Sequence, residues 1–238
     1  MTWNVERVAE CGSTMDVAKQ KARAGGADRW AVVAETMSKG RGTLDHAWHA
    51  PRGGLYTSFI LRGPSNPHLL TLALGNAVAD VLEVAGVEPR IKWVNDVFVA
   101  DKKIAGILVE AESTGSQIDF LVCGIGINLN GHAKEFPSAL RATATTLEDE
   151  LACDVCIPDL EGFLWQAIDT WLDRLGHDPA RVIAATRERD ALNGKRVAVI
   201  SGKQRTEGVA SGLDDKGHLL VKTAKGTQAI ASGSVDLL

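Results

Sequence analysis

Hydrophobic and polar positions change rhythm several times along this chain, and each rhythm predicts a kind of element. Short runs of β-branched and apolar residues at 5–9, 31–34 and 55–61 predict strands. Between the first two, Ser13 or Thr14 can cap a helix running through Met15, Val17 and Ala18 to about Ala24, with Gly25 and Gly26 as its stop. Leu70, Leu74, Ala77, Val81 and Ala85 recur at helical spacing, which predicts a helix over 68–85 closed by Gly86. Four β-like runs follow in quick succession, at 90–93, 97–100, 104–111 and 118–124, with a tight hairpin at Asp101-Lys102. Strands joined this closely predict an antiparallel or mixed sheet, because parallel neighbours need long crossovers.

Farther on, Pro158 suits a first helical position. Leu160, Phe163, Leu164, Ala167, Ile168, Trp171, Leu172 and Leu175 then form a core-facing stripe that ends at Gly176, and 179–190 reads as a shorter helix. From Gly194 the pattern returns to short β-like runs, divided by Gly202-Lys203, by residues 214–217 and by Lys225-Gly226. Such turn-punctuated strands predict a small closed β-barrel or SH3-like unit. The expected architecture is therefore α+β: a mixed or antiparallel sheet with flanking helices over 1–192, and a small β domain over 193–238. With no linker between them, the two are expected to pack together.

Composition narrows the function classes. The 238 residues are 45% apolar and 24% charged, an ordinary globular mix able to bury a core without staples. A formal charge of −4, from 26 basic and 30 acidic side chains, argues against a nucleic-acid partner. It leaves room for a local basic site. Cys11, Cys123, Cys153 and Cys156 are too few and too irregular for a disulfide framework. Cys153 and Cys156 form one CxxC without a second pair, so no transition metal is expected. The chain start lacks the apolar stretch of a signal peptide, and no run reaches the roughly 18–20 apolar residues that span a bilayer. A cytoplasmic location with no membrane contact is the expectation.

Four places break the local rules. At Ser13-Thr14 a strand gives way to a helix, and hydroxyls there suit either a plain cap or a polar ligand. Ser38-Lys39-Gly40-Arg41-Gly42-Thr43, running on to His46, Trp48 and His49, has glycine-flanked cations that can cradle phosphate, although a mobile surface loop reads the same way. It is no P-loop, since GxxxxGK[ST] is absent. Lys92-Trp93-Val94-Asn95-Asp96 is followed by Lys103 at the head of an apolar strand, where a lysine must snorkel or meet an anion. Asp96 can serve magnesium, which takes one or two carboxylates plus phosphate oxygens. Finally, Gly124 and Gly126 sit in a strand pattern that ends at Asn128, and such glycines let a ligand approach the backbone.

Taken in order, Ser13-Thr14, Gly40-Arg41-Gly42 with Trp48, Lys92-Trp93-x-Asn95-Asp96, Lys103-x-x-Gly106-Ile107-Leu108-Val109-Glu110 and Gly124-x-Gly126-x-Asn128 resemble the catalytic core of biotin protein ligases. The likeness extends through residues 53–61 and 142–147 and over the small C-terminal β domain. It implies a class II synthetase-like catalytic domain with an SH3-like barrel. It also implies a two-step reaction, in which biotin and ATP give biotinyl-5′-adenylate and a lysine of a biotin carboxyl carrier domain then takes the biotinyl group. On this resemblance Lys103, Arg41, Asp96 and Lys92 are the catalytic set, with Asp96 also a magnesium ligand. Ser13, Thr14, Met37, Arg41, Gly42, Thr43, Lys103, Gly106, Gly124 and Gly126 should meet biotin. Arg41, Trp48, Asn95, Asn128, Ala144 and Thr145, with Thr146, should lie on the ATP side.

Three departures from the family pattern matter. The loop reads GRGTLDH where GRGRxGR is usual, so Thr43 and His46 stand where arginines are common and Asp45 adds a negative charge. Met37 replaces a common glutamine, and Val94 replaces the proline of KWPND. A lipoate-type acyl-protein ligase and a biotin-binding paralogue with little transfer are the alternatives. Ser13 lies so near the chain start that a preceding DNA-binding domain of the kind some members carry is not expected. The resemblance admits both a monomer and a homodimer formed through the catalytic sheet.

Overall fold

The structure, a computed structural model, describes residues 2–43, 46–63, 66–115 and 117–238. Its larger sheet has seven strands: β1 (Asn4–Cys11), β2 (Trp30–Met37), β3 (Leu55–Leu61), β4 (Arg90–Lys92), β5 (Asp96–Val99), β6 (Lys102–Thr114) and β7 (Gln117–Ile127). They lie in the order β1-β2-β3-β7-β6-β5-β4. Only β1 and β2 pair in parallel, which makes the sheet mixed, and the helix between them supplies the required crossover. That helix, α1 (Thr14–Arg23), stops where Gly25 takes φ +83°.

Alternation along the strands gives the sheet two apolar faces. Leu55, Phe59 and Leu61 of β3 join Leu121, Cys123, Ile125 and Ile127 of β7 in one core beneath α2 (Pro67–Val84), α4 (Ile157–His177) and α5 (Pro179–Glu188). On the opposite face Met15, Ala18 and Ala22 of α1 pack on Trp30, Val32, Ile60, Phe120 and Val122. Helix α2 is buried nearly all round, beyond the single stripe its spacing predicts, because α4 and α5 cover the side away from the sheet. Buried Asn76 in α2 is satisfied there, donating to the hydroxyl of Thr186 (2.7 Å) and accepting from Arg189 (2.9 Å).

The C-terminal residues form a second, antiparallel sheet in the order β11-β10-β9-β8-β12. Its strands are β8 (Arg196–Ser201), β9 (Gln204–Leu213), β10 (Leu219–Thr223), β11 (Gly226–Ile230) and β12 (Ser234–Leu237). Val197, Val199, Leu219, Val221 and Val235 belong to the same apolar cluster as the α2 side of the large sheet. The two sheets thus share one core. No helix among the described residues is long and apolar enough to cross a membrane.

Several boundaries differ from the sequence expectation. The β5–β6 hairpin turns at Ala100-Asp101, both with positive φ (47° and 62°), one residue before Asp101-Lys102. Two consecutive left-handed residues match the twist of a two-residue hairpin. Strand β7 continues through Gly124 and Gly126 to Ile127 because β3 and β6 bond it on both sides. Helix α4 begins at Ile157, making Pro158 its second residue, and it runs through Gly176 to His177. Phe163, expected in its core stripe, is 44% exposed. Helix α5 stops at Glu188, since the chain beyond it pairs with β4, Arg189 accepting from and Ala191 donating to Ile91. Strand β12 was not among the expected runs.

Candidate active site

Beyond the part covered by α1, the same face of the large sheet is lined by glycines. Along β7 the residues facing α1 are Phe120 and Val122, then Gly124 and Gly126. In register, Gly126 lies opposite Gly106 of β6, and Gly124 lies opposite Leu108 of β6 and Ser58 of β3. A Cβ on Gly126 would come within 2.6 Å of the Trp48 indole, and one on Gly106 within 3.0 Å. One on Gly124 would meet the Met15 sulfur at 2.6 Å. Any side chain at these positions would have to displace Trp48 or Met15, so the glycines leave a flat, close-approach floor.

The wall beside this floor is the start of α1. Ser13 is its N-cap residue in extended conformation, yet its hydroxyl caps nothing, so the plain-cap reading does not hold. Ser58 donates to the Thr14 hydroxyl (2.8 Å), and Thr14 directs its N–H and hydroxyl at the Met37 sulfur (3.3 and 3.5 Å). Met37 therefore closes a polar chain that begins in the sheet.

The Gly40–Gly42 loop is folded back as a roof. At its base the Ser38 and Lys39 N–H groups donate to the carbonyls of Cys11 and Gly12 (3.1 and 2.7 Å). Trp48 N–H donates to Gly40 (2.8 Å) and Gly42 N–H to His46 (2.7 Å), while Arg41 bridges to Ala47. These bonds argue against the mobile-loop reading and lay Trp48 on the glycines. Leu44 and Asp45 fall outside the described residues.

Lys103 enters from the head of β6. Its backbone is gripped on both sides by the segment after β7, donating to Thr143 (2.8 Å) and accepting from Thr145 (2.9 Å). Its ammonium stands 2.6 Å from an Asp96 carboxylate oxygen and 5.3 Å from the Trp48 ring centre. Such a cation over an aromatic face is favourable, by about 0.5–1 kcal/mol at an exposed site. Asp96 opens β5 after a turn in which the Trp93–Val94 peptide is cis and Asn95 is bonded to Ile107 through both its side chain and its carbonyl (3.0 and 2.8 Å). The Trp93 indole donates to the carbonyl of Gly217 in the turn between β9 and β10 (3.0 Å), which also meets His68 of α2 (2.8 Å).

Together these parts enclose a cavity of about 500 Å³. It is lined by the expected Ser13, Thr14, Met37, Arg41, Gly42, Thr43, Trp48, Lys92, Asn95, Asp96, Lys103, Gly106, Gly124 and Gly126. Asn128, Ala144 and Thr145 do not line it. Asn128 is buried and donates to the Thr145 carbonyl (3.0 Å), Thr145 donates to Glu150 (2.6 Å), and Thr146 caps α3 (Leu147–Leu151). All of them lie behind Lys103 as its support. Lys92 turns its ammonium over the Phe98 ring (5.7 Å). Missed from the sequence are Ser58 and the rim that the small sheet contributes at 200–202 and 232–236. The Ser232-Gly233-Ser234 string was the available signal, small polar residues at the end of a β-like run.

Two buried polar atoms of this cavity have no partner among the described residues, the Ser13 hydroxyl and the Trp48 indole nitrogen. Leaving a buried donor unmet costs about 1–3 kcal/mol, and native proteins leave few. A ligand offering hydrogen-bond acceptors on the floor would relieve both. The same cavity offers two cations, Lys103 and Arg41, for an anionic end of that ligand. Among the described residues no three His, Cys, Asp or Glu side chains cluster as a resident metal site. Asp96 alone suits a magnesium ion that arrives on phosphates, because magnesium needs few protein carboxylates. Cys153 and Cys156 are exposed free thiols away from the cavity.

Comparison with known proteins agrees with this geometry. Residues 10–128 match the profile of the biotin/lipoate A/B protein ligase family, and 193–238 match the biotin protein ligase C-terminal domain. The biotin–[acetyl-CoA-carboxylase] ligase of Paracoccus denitrificans is 30% identical over 86% of this chain and 88% of its own. The bifunctional ligase/repressor BirA of Bacillus subtilis is 29% identical over 94% of this chain and 71% of its own. The biotin protein ligase of Aquifex aeolicus, solved with biotin and ATP, superposes with a TM-score of 0.88 at 29% identity over 99% of this chain and 98% of its own. With half of its residues under the family profile and such relatives along nearly its whole length, the chain belongs to the biotin/lipoate A/B protein ligase family.

Proposed function

We propose that this cavity joins biotin to ATP and passes the biotinyl group to a lysine of a biotin carboxyl carrier domain. In the first step a carboxylate oxygen of biotin bonds to the α-phosphorus as the bond to pyrophosphate breaks. Both partners are anions, so the transition state needs cations already in place. Lys103 and Arg41 supply them. The bicyclic ring of biotin lies on the Gly124–Gly126 floor, with the Ser13 hydroxyl and the Thr14 chain as its polar partners. Trp48 covers it. In the second step the carrier amine nitrogen bonds to the acyl carbon and gives up a proton to solvent, and AMP leaves with the electron pair on its phosphate oxygen. Asp96 is the carboxylate we assign to orienting that amine while it holds the Lys103 ammonium. Magnesium, when bound, would be held by Asp96 and would offset charge on the phosphates.

The observation that carries this reading is the Lys103 ammonium above a floor without side chains, with Asp96 at 2.6 Å. Incubation of the protein with a carrier domain, ATP, magnesium and biotin should add one biotinyl group to the carrier by mass. Lipoate in place of biotin should add nothing. Modification by lipoate alone would make this a lipoate-type ligase, and pyrophosphate release without carrier modification would make it a biotin-activating paralogue.

A further inference from the structure

Arg41 lines the cavity, but its guanidinium is engaged elsewhere. Its Nη2 lies 3.0 and 2.9 Å from the two carboxylate oxygens of Glu110, and its Nε lies 3.4 Å from Asp16. Glu110 is on β6, two and four residues beyond Leu108 and Gly106 on the same face of the strand. A third group reaches this carboxylate: Lys19 of α1, three residues after Asp16, has its ammonium 3.5 Å from Glu110. Two cations thus share one carboxylate, and one of the two belongs to the candidate active site.

We infer that Glu110 is the resting partner of Arg41, and that Lys19 is the cation left holding Glu110 when Arg41 turns to a ligand anion. This deepens the proposed function and rests on it. An anion in the cavity wins Arg41 only by outcompeting Glu110, so apparent affinity falls with the fraction of molecules in which Arg41 is released. Lys19 lowers that barrier, because the carboxylate it keeps is not stranded. The groups are all partly exposed, so each contribution is small, on the scale of a surface ion pair.

Titration of the full chain with biotin and with biotinamide, which lacks the anionic end, tests this. Glu110→Gln should bind biotin about three- to fivefold more tightly and biotinamide no differently. Lys19→Gln should bind biotin about two- to threefold more weakly, again with biotinamide unmoved, and this effect should vanish in the double variant. Equal biotin affinity in Glu110→Gln and the natural protein, or equal shifts for both ligands, overturns the inference. Should Glu110→Gln not fold, Lys19→Gln alone decides, since a purely structural role would shift both ligands together. Failure of the natural protein to bind biotin at all overturns the proposed function and this inference with it.

Discussion

On one side of the cavity Gly106 and Gly126 face each other across two long antiparallel strands, whereas on the other Arg41 and Trp48 ride a loop tied at its base by two backbone bonds to Cys11 and Gly12. The strands are 13 and 11 residues long and bonded along their length, so moving one floor atom means moving a ladder. The loop is held by a handful of bonds, several internal to it. Its Arg41 is paired with Glu110, a carboxylate on the floor strand β6. The difference separates two tasks. On the proposed function, the strands hold the floor against the reacting carboxylate and phosphate, while the loop lays Arg41 and Trp48 over it as a roof.

The most severe test of this division removes a floor cation. Lys103→Ala should slow pyrophosphate release from biotin and ATP by about a hundred- to a thousandfold, the usual loss when one preorganised donor to a charged transition state is deleted. Full-rate adenylation by that variant would break the division outright. A milder test restores a loop cation. Thr43→Arg adds a charge-assisted hydrogen bond over the adenylate, about 1.5–3 kcal/mol, and should slow biotinyl-adenylate release by ten- to a hundredfold without changing adenylation rate comparably. Equal release rates for the two proteins would mean that the roof does not govern residence.

The smallest expected effect concerns the segment that grips Lys103 from behind. His132 meets Asp149 (2.8 Å) and Glu148 (3.4 Å), and the Asp149 hydrogen bond followed by the Glu148 charge raises its pKa above the ordinary 6.5. A raised folded-state pKa stabilises fully below 6.5 and is lost as pH climbs through the folded value. His132→Gln should therefore lower Tm at pH 6 by no more than about 2 °C, because the pair is exposed, with the gap closing as pH climbs above the raised pKa of His132. A gap that widens with pH would reverse the assignment.

How much of this was legible in the sequence follows from what periodicity encodes. Residues 55–61 are legible end to end because every position of β3 is buried, and α1 is bounded by Ser13 at its N-cap position and by a glycine pair. Periodicity says which face a side chain takes, not what lies across it. That is why Gly126 can be named but not its contact with Trp48, and why Arg41 and Glu110 can each be named but not their pairing across 69 residues. Asn128, Ala144 and Thr145 are placed on the ATP side by resemblance alone, and periodicity could not show that Asn128 donates to the Thr145 carbonyl or that the Thr145 N–H donates to Lys103. Ser234–Leu237 has too few residues to show an alternation, so β12 emerged only from its pairing with β8. Phe163 obeyed the helical stripe and still faces outward, because α4 buries a narrower face than its apolar content suggests.

The carbonyl of Gly217 accepts from both Trp93 and His68, and Trp93 leads directly into the turn that ends at Asp96. A ribosome that has made 200 residues has already made every atom of the floor and the roof. It has not yet made the acceptor that steadies that turn. The bond that steadies that turn can therefore form only after a hairpin 124 residues farther along the chain has been made.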